Sequence, residues 1–362
     1  MTGRKQMILA INTGSSSIKY KIFIGDHKEV LAGKFKNLES AADFRRVILK
    51  LSSDLQNFAY DNEKITTIVH RVVHGKDLSS PYTVNEKKSF NELLKLNHLA
   101  PLHNPNANLA ISLMKQRFPK IRQLAIFDTS FFRDLPEVSR ILPIDQNIAK
   151  KHQLFRYGFH GISHQYVLAE VDPENAQKVI SIHLGAGCSI TASVNGKPIE
   201  TSMSFTPLDG LVMRTRSGAI DPGLVLFLVK EYGVKKAENI LQNESGLKGL
   251  SGINGGFMTM LYVAGYPVED KNYKPKFVDS TELEKEAAKF AIEKFIYEIR
   301  KYLGAYNLII GGADKIVFTG EIGFGSSWIR SKIMEGLDLK IEAVKPDEEL
   351  AMAKLVTLEG YL

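Results

Sequence analysis

The sequence predicts an α/β protein built from two copies of one unit, and three observations support this fold class. The 362 residues, 44% of them hydrophobic, suffice for two domains with separate cores. Short β-branched runs alternate with helical patterns along the chain. A strand, a polar residue, a glycine turn and a second strand occur at residues 7–23 and again at 179–190. This repeat predicts a duplicated unit.

The two copies can be matched around their turns, and the match requires one extra residue in the second copy. The matching positions are Asn12 and His183, Gly14 and Gly185, and Ser17 and Ser189. Gly14 can adopt a positive φ, and the serines after it supply hydroxyl and N–H groups that suit a phosphate. The first turn is therefore a candidate anion site.

The first half continues with alternating strands and helices. Strands are predicted at residues 7–11, 18–23, 29–36, 66–73 and 121–127, and helices at 41–58 and 106–117. Arg71 stands near the end of the fourth strand, where a guanidinium can bind a carboxylate through two hydrogen bonds. Asp128 follows the fifth strand, and open α/β sheets bind ligands at the carboxyl ends of their strands.

Residues 157–166 lie between the two halves and contain a histidine that both halves could reach. Gly158 and Gly161 flank His160, so the backbone can turn sharply there and direct the imidazole into a cleft. Ser163 is predicted to cap a helix at residues 165–170. His160 is thus a candidate for charge stabilisation or proton transfer.

The second half adds glycine-rich loops beside predicted helix starts. Arg214 and Arg216 lie in a basic loop before the helix that Asp221 opens, an arrangement that suits an anion. A strand at 315–319 runs into Gly320 and then a helix at 327–337, which makes a phosphate cradle plausible. A last helix is predicted at 347–358. A helix at 281–303 is predicted to bury Ala287, Phe290, Ala291, Phe295 and Ile299.

Composition narrows the class of protein. The single cysteine, Cys188, excludes an intrachain disulfide framework and a thiolate metal site, and it fits a reducing, cytoplasmic location. No apolar run approaches the roughly 20 residues that span a bilayer, so no membrane contact is expected. The net charge of +7 is not gathered into a tail, which favours small anionic ligands over nucleic acid.

Taken in order, these segments resemble the acetate kinase family of carboxylate kinases. The motifs that carry the resemblance are residues 12–19, 70–75, 100–105, 127–129, 157–164, 183–185, 205–208 and 215–218. The family belongs to the actin-like phosphotransferase superfamily, whose duplicated ribonuclease-H-like domains match the repeat. The resemblance implies an active-site cleft between an N-terminal domain, 1–148 completed by helix 346–362, and a nucleotide-binding domain, 149–345. It also implies a homodimer.

The implied reaction is reversible, in-line transfer of a phosphoryl group from ATP to acetate or a similar short-chain acid, with Mg²⁺ bridging the nucleotide phosphates. The implied catalytic residues are Arg71, Asp128, His160 and Arg216. The implied acid-binding residues are Arg71, Val73, Leu102, His103, Phe159 and Pro207. The implied nucleotide-binding residues are Ser15, Ser17, Lys19, His183, Gly185, Gly187, Gly320 and Gly323. The implied metal site comprises Asn12 and Asp128, with Glu321 as a further candidate.

The chain departs from the family pattern on the nucleotide side. Ala186 replaces an asparagine, Phe324 replaces a glutamate, and Arg214 replaces a glycine. The family's Asp-Phe-Arg segment is absent, and residues 257–260 stand in its place. Three hypotheses remain open: an ATP-dependent acetate kinase, a carboxylate kinase that uses pyrophosphate or a longer acid such as propionate or butyrate, and a binding protein without turnover.

Overall fold

The computed structural model describes residues 6–58, 64–270, 273, 280–358 and 360–361. The described strands are β1 (Met7–Thr13), β2 (Ser17–Ile24), β3 (Lys28–Lys36), β4 (Ile65–Val72), β5 (Tyr82–Thr83), β6 (Arg122–Phe127), β7 (Lys178–Leu184), β8 (Cys188–Val194), β9 (Lys197–Thr201), β10 (Lys315–Thr319) and β11 (Ile341–Ala343). The chain forms two compact units. Unit 1 contains Met1–Arg133, Phe159–Tyr166 and Asp347–Leu362, and unit 2 contains Asp134–Gly158 and Val167–Pro346.

Helices separate most of these strands. They are α1 (Ala41–Gln56), α2 (Lys87–Leu94), α3 (Asn104–Arg117), α4 (Glu137–Arg140), α5 (Gln146–His152), α6 (Gly161–Val171), α7 (Pro222–Tyr232), α8 (Val234–Asn239), α9 (Gly246–Ser251), α10 (Phe257–Val263), α11 (Glu282–Ile309), α12 (Gly320–Gly325), α13 (Ser327–Met334) and α14 (Glu348–Leu358). Shorter 3-10 helices occupy Asn97–Leu99 and Ser130–Asp134, and a π-helical turn occupies Ile240–Glu244.

Unit 1 is a sheet in the order β3-β2-β1-β4-β6-β5 with helices on both faces. β1, β4 and β6 run parallel, and β2 and β3 extend the sheet as an antiparallel meander. Because successive side chains in a strand point to opposite faces, Leu9 and Ile11 join one core with α1 and α3. Ile8 and Ala10 join the core on the other face with α14. The last helix of the chain thus completes the first unit.

Unit 2 repeats this topology with the order β11-β10-β7-β8-β9. β7, β8 and β9 form the antiparallel meander, and β10 and β11 follow β7 in parallel. The strands β7, β8, β9, β10 and β11 therefore take the places of β1, β2, β3, β4 and β6. The predicted duplication is confirmed.

The extra residue lies in the first turn, opposite to the prediction. Thr13 pairs with Ile18 across the first turn, which leaves four residues between them, and Leu184 pairs with Cys188, which leaves three. In the first turn the Gly14 amide donates to the Ser17 carbonyl oxygen, three residues ahead. In the second turn the Gly185 amide donates to the Gly187 carbonyl oxygen, two residues ahead. Sequence matching aligned the two serines, but pairing across the strands sets the register.

The passage between the units also differs from the predicted boundary at residue 148. Residues 134–158 belong to unit 2, and residues 159–166 belong to unit 1. Hydrogen bonds explain why residues 134–158 belong to unit 2. The Arg156 side chain donates to the carbonyl oxygens of Ser139 and Thr201 at 2.9 and 2.7 Å. The hydroxyl of Ser139 in turn donates to the Ile199 carbonyl oxygen in unit 2.

Two further helix predictions need correction. Helix α6 begins at Gly161, so Ser163 lies inside its first turn and is not the cap. Helix α11 buries Ala291, Phe295 and Ile299 as predicted, but Phe290 is 56% exposed. Phe290 is seven residues from the exposed Leu283 and from the exposed Tyr297, which places the three on one outward face.

Candidate active site

The predicted residues Arg71, Asp128 and Asn12 meet in unit 1. Arg71 projects from β4, and Asp128 follows β6, the parallel neighbour of β4. Arg71 Nη2 donates to Asp128 Oδ2 at 2.6 Å, and Nε donates to both carboxylate oxygens at 3.1 and 3.2 Å. Arg71 Nη1 donates to Asn12 Oδ1, at the end of β1, at 3.0 Å. Three adjacent strand ends therefore hold one guanidinium in place.

This ion pair is buried, which affects both partners. Asp128 is 1% exposed, and burial raises the pKa of its carboxyl above the ordinary value, although Arg71 opposes that rise. Burial by itself would lower the pKa of the Arg71 guanidinium. The Asp128 carboxylate outweighs this effect, so the pKa lies above its ordinary value. A guanidinium has five N–H donors, and the bonds to Asp128 and Asn12 leave one on each Nη atom for a ligand.

Two carboxylates that the sequence analysis missed join this network. Asn12 Nδ2 donates to Glu349 Oε1 at 2.8 Å and to Glu348 Oε2 at 3.2 Å. Both glutamates belong to the first turn of α14. Burial, followed by the neighbouring charge of Glu348, raises the pKa of Glu349. Nothing local in the sequence links these residues to Asn12, since more than 330 positions separate them.

The His160 segment is fastened to Asp128 through the backbone. The amide of Gly161 donates to the Asp128 carbonyl oxygen at 2.8 Å. A Cβ at position 161 would lie 2.2 Å from that oxygen, so only glycine fits this approach. His160 has a left-handed φ of 58°, which is uncommon for a residue with a side chain. The backbone therefore fixes His160 and Asp128 as one element of unit 1.

The predicted acid-binding residues of unit 1 differ in exposure. Val73 and Phe159 are buried, and the Phe159 ring packs edge-on against His74 at 5.6 Å between ring centroids. Leu102 is 46% exposed. His103 directly precedes α3 and is half-buried. Buried apolar walls and one exposed leucine suit a small alkyl group.

Arg216 and Pro207, the remaining predicted catalytic and acid-binding residues, lie together in unit 2. Arg216 Nη1 donates to the Pro207 carbonyl oxygen at 3.2 Å and approaches the Met213 sulfur at 3.7 Å. Among the residues that the structure describes, no carboxylate pairs with Arg216. Burial lowers the pKa of this guanidinium. A partly buried cation of this kind attracts an anionic ligand, because desolvation without a counter-ion is unfavourable.

Of the predicted nucleotide-binding glycines of unit 2, Gly185 lines a cavity of about 550 Å³, and Gly187, Gly320 and Gly323 are not part of its lining. His183 is the penultimate residue of β7, and its Nε2 would lie 3.4 Å from a Cβ at Gly185 in the turn that continues to Gly187. Gly320 starts α12 with a φ of 81°, where a Cβ would meet the Leu184 carbonyl oxygen at 2.3 Å. A Cβ at Gly323 would make only ordinary contacts, so packing does not require that glycine.

The cavity has apolar walls and polar rims. Its lining comprises Gly185, Ala186, Cys188, Arg214, Leu247, Gly256, Phe257, Met258, Thr259, Leu261, Glu269, Asp270, Tyr273, Phe295, Glu321, Ile322, Gly325 and Ser326. Glu321 is part of this lining, whereas Phe324 is not. Glu269 accepts from the amides of Ser327 and Trp328 at the start of α13, and these bonds lower the pKa of its carboxyl against the effect of burial.

The other predicted nucleotide-binding residues, Ser15, Ser17 and Lys19, lie in unit 1. Ser15 is an exposed residue of the β1–β2 turn, and Ser17 starts β2. Lys19 pairs with Asn12 across the strands, and its charge acts on Glu349. The predicted nucleotide residues are thus divided between the units, with the glycines in unit 2 and the serines in unit 1.

Oxygen donors for a hard cation belong to one hydrogen-bond network, because Glu348 and Glu349 accept from Asn12 and Asp128 is linked to Asn12 through Arg71. Within the described part of the chain, no cluster of three acidic, histidine or cysteine side chains is arranged to hold a metal by itself. Mg²⁺ is commonly bound by one or two carboxylates, water and substrate phosphates. The donor chemistry of unit 1 therefore fits Mg²⁺. Glu321, the other predicted ligand, lies in unit 2.

None of the described helices has the length and apolar character that a membrane crossing requires. Residues 26–358 match the model of the Acetokinase family. The acetate kinase of Brachyspira hyodysenteriae is 35% identical over 362 aligned residues, which cover 91% of this chain and 87% of that relative.

Solved structures agree with the sequence comparison. The acetate kinase of Porphyromonas gingivalis superposes with a TM-score of 0.81 and 26% identity, over 98% of this chain and 99% of that structure. A propionate kinase from Francisella tularensis superposes with a TM-score of 0.79 and 30% identity, over 96% and 98% of the two chains. The duplicated α/β architecture expected from the resemblance is confirmed. The chain belongs to the acetokinase family of carboxylate kinases.

Proposed function

We propose that this enzyme transfers a phosphoryl group reversibly between ATP and acetate, forming acetyl phosphate and ADP. The observation that carries the proposal is a partly buried guanidinium in each unit, each with capacity for an anion. Arg71 keeps two N–H donors free of its protein partners, and Arg216 is partly buried without a carboxylate among the described residues. Phosphoryl transfer requires this kind of support, because catalysis depends on positioning and charge stabilisation.

Each residue has a role that its surroundings support. Arg71 and Arg216 would bind the acid carboxylate and the phosphoryl group, since a guanidinium binds two oxygens at once. His160, fixed against the Asp128 backbone, would stabilise charge on the phosphoryl group in flight. Asp128 would hold Arg71 in the orientation that presents its remaining donors. A binding protein without turnover has no need for this complete set.

Mg²⁺ would neutralise phosphate charge when it is bound. Asn12 and Asp128 would take part in holding it, and Glu348 and Glu349 are additional oxygen donors at Asn12. Glu321 lines the cavity of unit 2 and is the candidate there.

The cavity of unit 2 supports a nucleotide as the phosphoryl donor. Its volume of about 550 Å³ falls within the range of ligand pockets, roughly 300 to 1,000 Å³. Leu247, Phe257 and Ile322 offer the apolar surface that a base requires and that pyrophosphate would not use. We therefore assign nucleotide binding to unit 2 and acid binding chiefly to unit 1.

Acetate is the proposed acid, and propionate and butyrate are the alternatives. The buried Val73 and Phe159 would limit the size of the alkyl group, whereas the exposed Leu102 would yield to a longer chain. One methylene changes specificity by only about 1 to 3 kcal/mol.

A hydroxamate assay for the acyl phosphate tests the function directly. The purified chain is supplied with each of the three acids and with ATP, GTP or pyrophosphate. We expect acetyl hydroxamate with ATP and Mg²⁺, and less product with pyrophosphate. Product with pyrophosphate alone would contradict the proposed donor, and no product under any combination would contradict the proposed activity.

We also propose that the enzyme is a cytoplasmic homodimer. The single cysteine supports a reducing compartment. Helix α7 supports a partner surface, since it is strongly apolar, it buries no residue, and Leu226 and Phe227 are 72% and 55% exposed. A second copy would cover this helix, because isologous dimers are the commonest assembly of soluble proteins.

Light scattering tests the proposed interface. We expect Leu226→Glu to convert the dimer to a monomer, whereas Leu308→Glu, at an exposed leucine of α11, should leave the mass unchanged. A wild-type chain that remains monomeric at high concentration would contradict the proposal.

A further inference from the structure

We propose that Arg214 binds a phosphate group of the phosphoryl donor, an inference that rests on the proposed kinase function. Arg214 lies two residues before Arg216 and lines the cavity of unit 2. Its role would be separate from that of Arg216, which contacts Pro207 and does not line this cavity. Arg214 would thereby contribute to donor specificity.

Backbone hydrogen bonds hold the Arg214 main chain at the edge of the cavity. The Arg214 carbonyl oxygen accepts from the Lys248 amide of α9 at 2.9 Å. The carbonyl oxygens of Met213 and Thr215, on either side, accept from the amides of Leu247 and Ser245 at 2.9 and 3.1 Å. Three consecutive residues are thus bonded to one short stretch of chain.

The guanidinium of Arg214 has no protein partner within the described residues. It forms neither a hydrogen bond nor an ion pair there. By contrast, Arg46, Arg300 and Arg330 each donate to a carboxylate or to carbonyl oxygens. Arg214 is exposed, but it borders a cavity in which it is the one basic side chain of the described lining. Its donors are available to a ligand.

The charges around the cavity indicate which part of the ligand Arg214 would contact. Glu269 is committed to the start of α13, but Asp270 and Glu321 also line the cavity. Carboxylates accept hydrogen bonds from hydroxyl and amino groups and repel a bare anion. A nucleoside phosphate has both kinds of group, whereas pyrophosphate has only the anionic kind. The phosphate would therefore be placed at Arg214 and the nucleoside away from it.

A second observation links Arg214 to the turn after β7. Ala186 lines the same cavity, and it stands where the family pattern has an asparagine. Alanine removes a side-chain hydrogen-bond donor from this wall, and Arg214, which stands in place of a glycine, adds one. Ala186 and Arg214 line the same cavity, so the Arg214 guanidinium would replace the hydrogen-bond donor that is missing at position 186.

Calorimetric titration of the full chain with ADP, pyrophosphate and adenosine separates a phosphate contact from a contact with the nucleoside. For Arg214→Ala we expect the dissociation constant of ADP to rise about tenfold or more, because a charged hydrogen bond is lost. The affinity for pyrophosphate should fall as well, and the affinity for adenosine should remain unchanged. Arg214→Lys should keep part of the affinity. Arg45→Ala, at an exposed residue of α1, is the matched control and should change none of the three.

Rescue provides a second test. Arg214→Gly should lower the affinity for ADP as Arg214→Ala does. Adding Ala186→Asn to Arg214→Gly should recover part of the lost affinity. Unchanged ADP affinity in Arg214→Ala, or an equal loss for ADP and adenosine, would overturn the inference.

The hydroxamate assay distinguishes this failure from a failure of the proposed function. If the wild type uses pyrophosphate and not ATP, the proposed donor is wrong, and Arg214 is then judged on pyrophosphate affinity. A wild type that binds neither ADP nor pyrophosphate would overturn both proposals.

Discussion

Replacing Arg71 with methionine tests the effect of the Arg71–Asp128 ion pair on turnover separately from its effect on folding stability. Methionine retains most of the side-chain length but removes the bonds to both oxygens of Asp128 and to Asn12. It also removes the two N–H donors that remain for a ligand. Loss of one preorganised charge contact typically costs about 2.7 to 4 kcal/mol of transition-state stabilisation, so turnover should fall by about 10² to 10³.

The same change leaves the Asp128 carboxylate buried without its counter-ion. Stranding one partner of a buried pair destabilises a protein by about 3 to 5 kcal/mol. Burial already raises the pKa of Asp128, and removal of Arg71 raises it further. Below about pH 4 the group is protonated in both the folded and the unfolded chain, so no penalty applies. The penalty grows as pH rises toward the raised folded pKa.

Urea unfolding and the hydroxamate assay measure the two effects independently. We expect the difference in unfolding free energy between wild type and Arg71→Met to be larger at about pH 8 than at about pH 5. Adding Asp128→Asn should recover much of the stability at the higher pH, because the stranded charge is gone, but it should not recover turnover. Near-native turnover in Arg71→Met would refute the proposed anion role. A double variant as unstable as the single variant would refute the stranded-charge explanation.

Three further outcomes test neighbouring parts of the site. Asparagine tolerates the left-handed backbone at position 160, so His160→Asn removes the imidazole without straining the chain. We expect kcat to fall with little change in KM, because the imidazole acts on the transition state. A pure rise in KM would contradict that role. Gly161→Ala places a methyl group 2.2 Å from a carbonyl oxygen after β6, and we expect destabilisation of about 1 to 3 kcal/mol by urea unfolding together with loss of turnover. Glu321→Gln should raise the Mg²⁺ concentration for half-maximal rate, whereas Phe324→Glu should change it little, because only Glu321 lines the cavity. An unchanged requirement in both would mean that neither residue organises the metal.

The parts of the site that the sequence predicted are those defined by strand ends. Arg71 and Asp128 come from consecutive parallel strands, β4 and β6, and local patterns were sufficient to locate both. Gly161 is predicted from the sequence to allow a sharp turn beside His160, but the structure requires glycine there for another reason, the close approach to the Asp128 carbonyl oxygen. These features depend on short segments, whose structure follows from their own residues.

The features that the sequence analysis missed depend on distant contacts. Glu348 and Glu349 reach Asn12 only because α14 packs on the first sheet. The turn lengths were assigned in reverse because matching letters cannot reveal which residues pair across two strands. Phe290 was assigned to the core because an apolar residue one position from a helical stripe looks much like a member of it. Helix α2 gave too short a pattern to be predicted.

The position of α14 has a consequence for synthesis of the chain on the ribosome. The residues of β1 emerge long before α14, the helix that covers Ile8 and Ala10 and brings Glu349 to Asn12, which belongs to the segment Asp347–Leu362. Unit 2 is encoded entirely before that point, so its residues can be folded while the first sheet still has one open apolar face. A nascent chain that stops at residue 346 would expose that face and would lack two of the site's carboxylates. The N-terminal sheet therefore cannot be complete until the residues of α14 have left the ribosome.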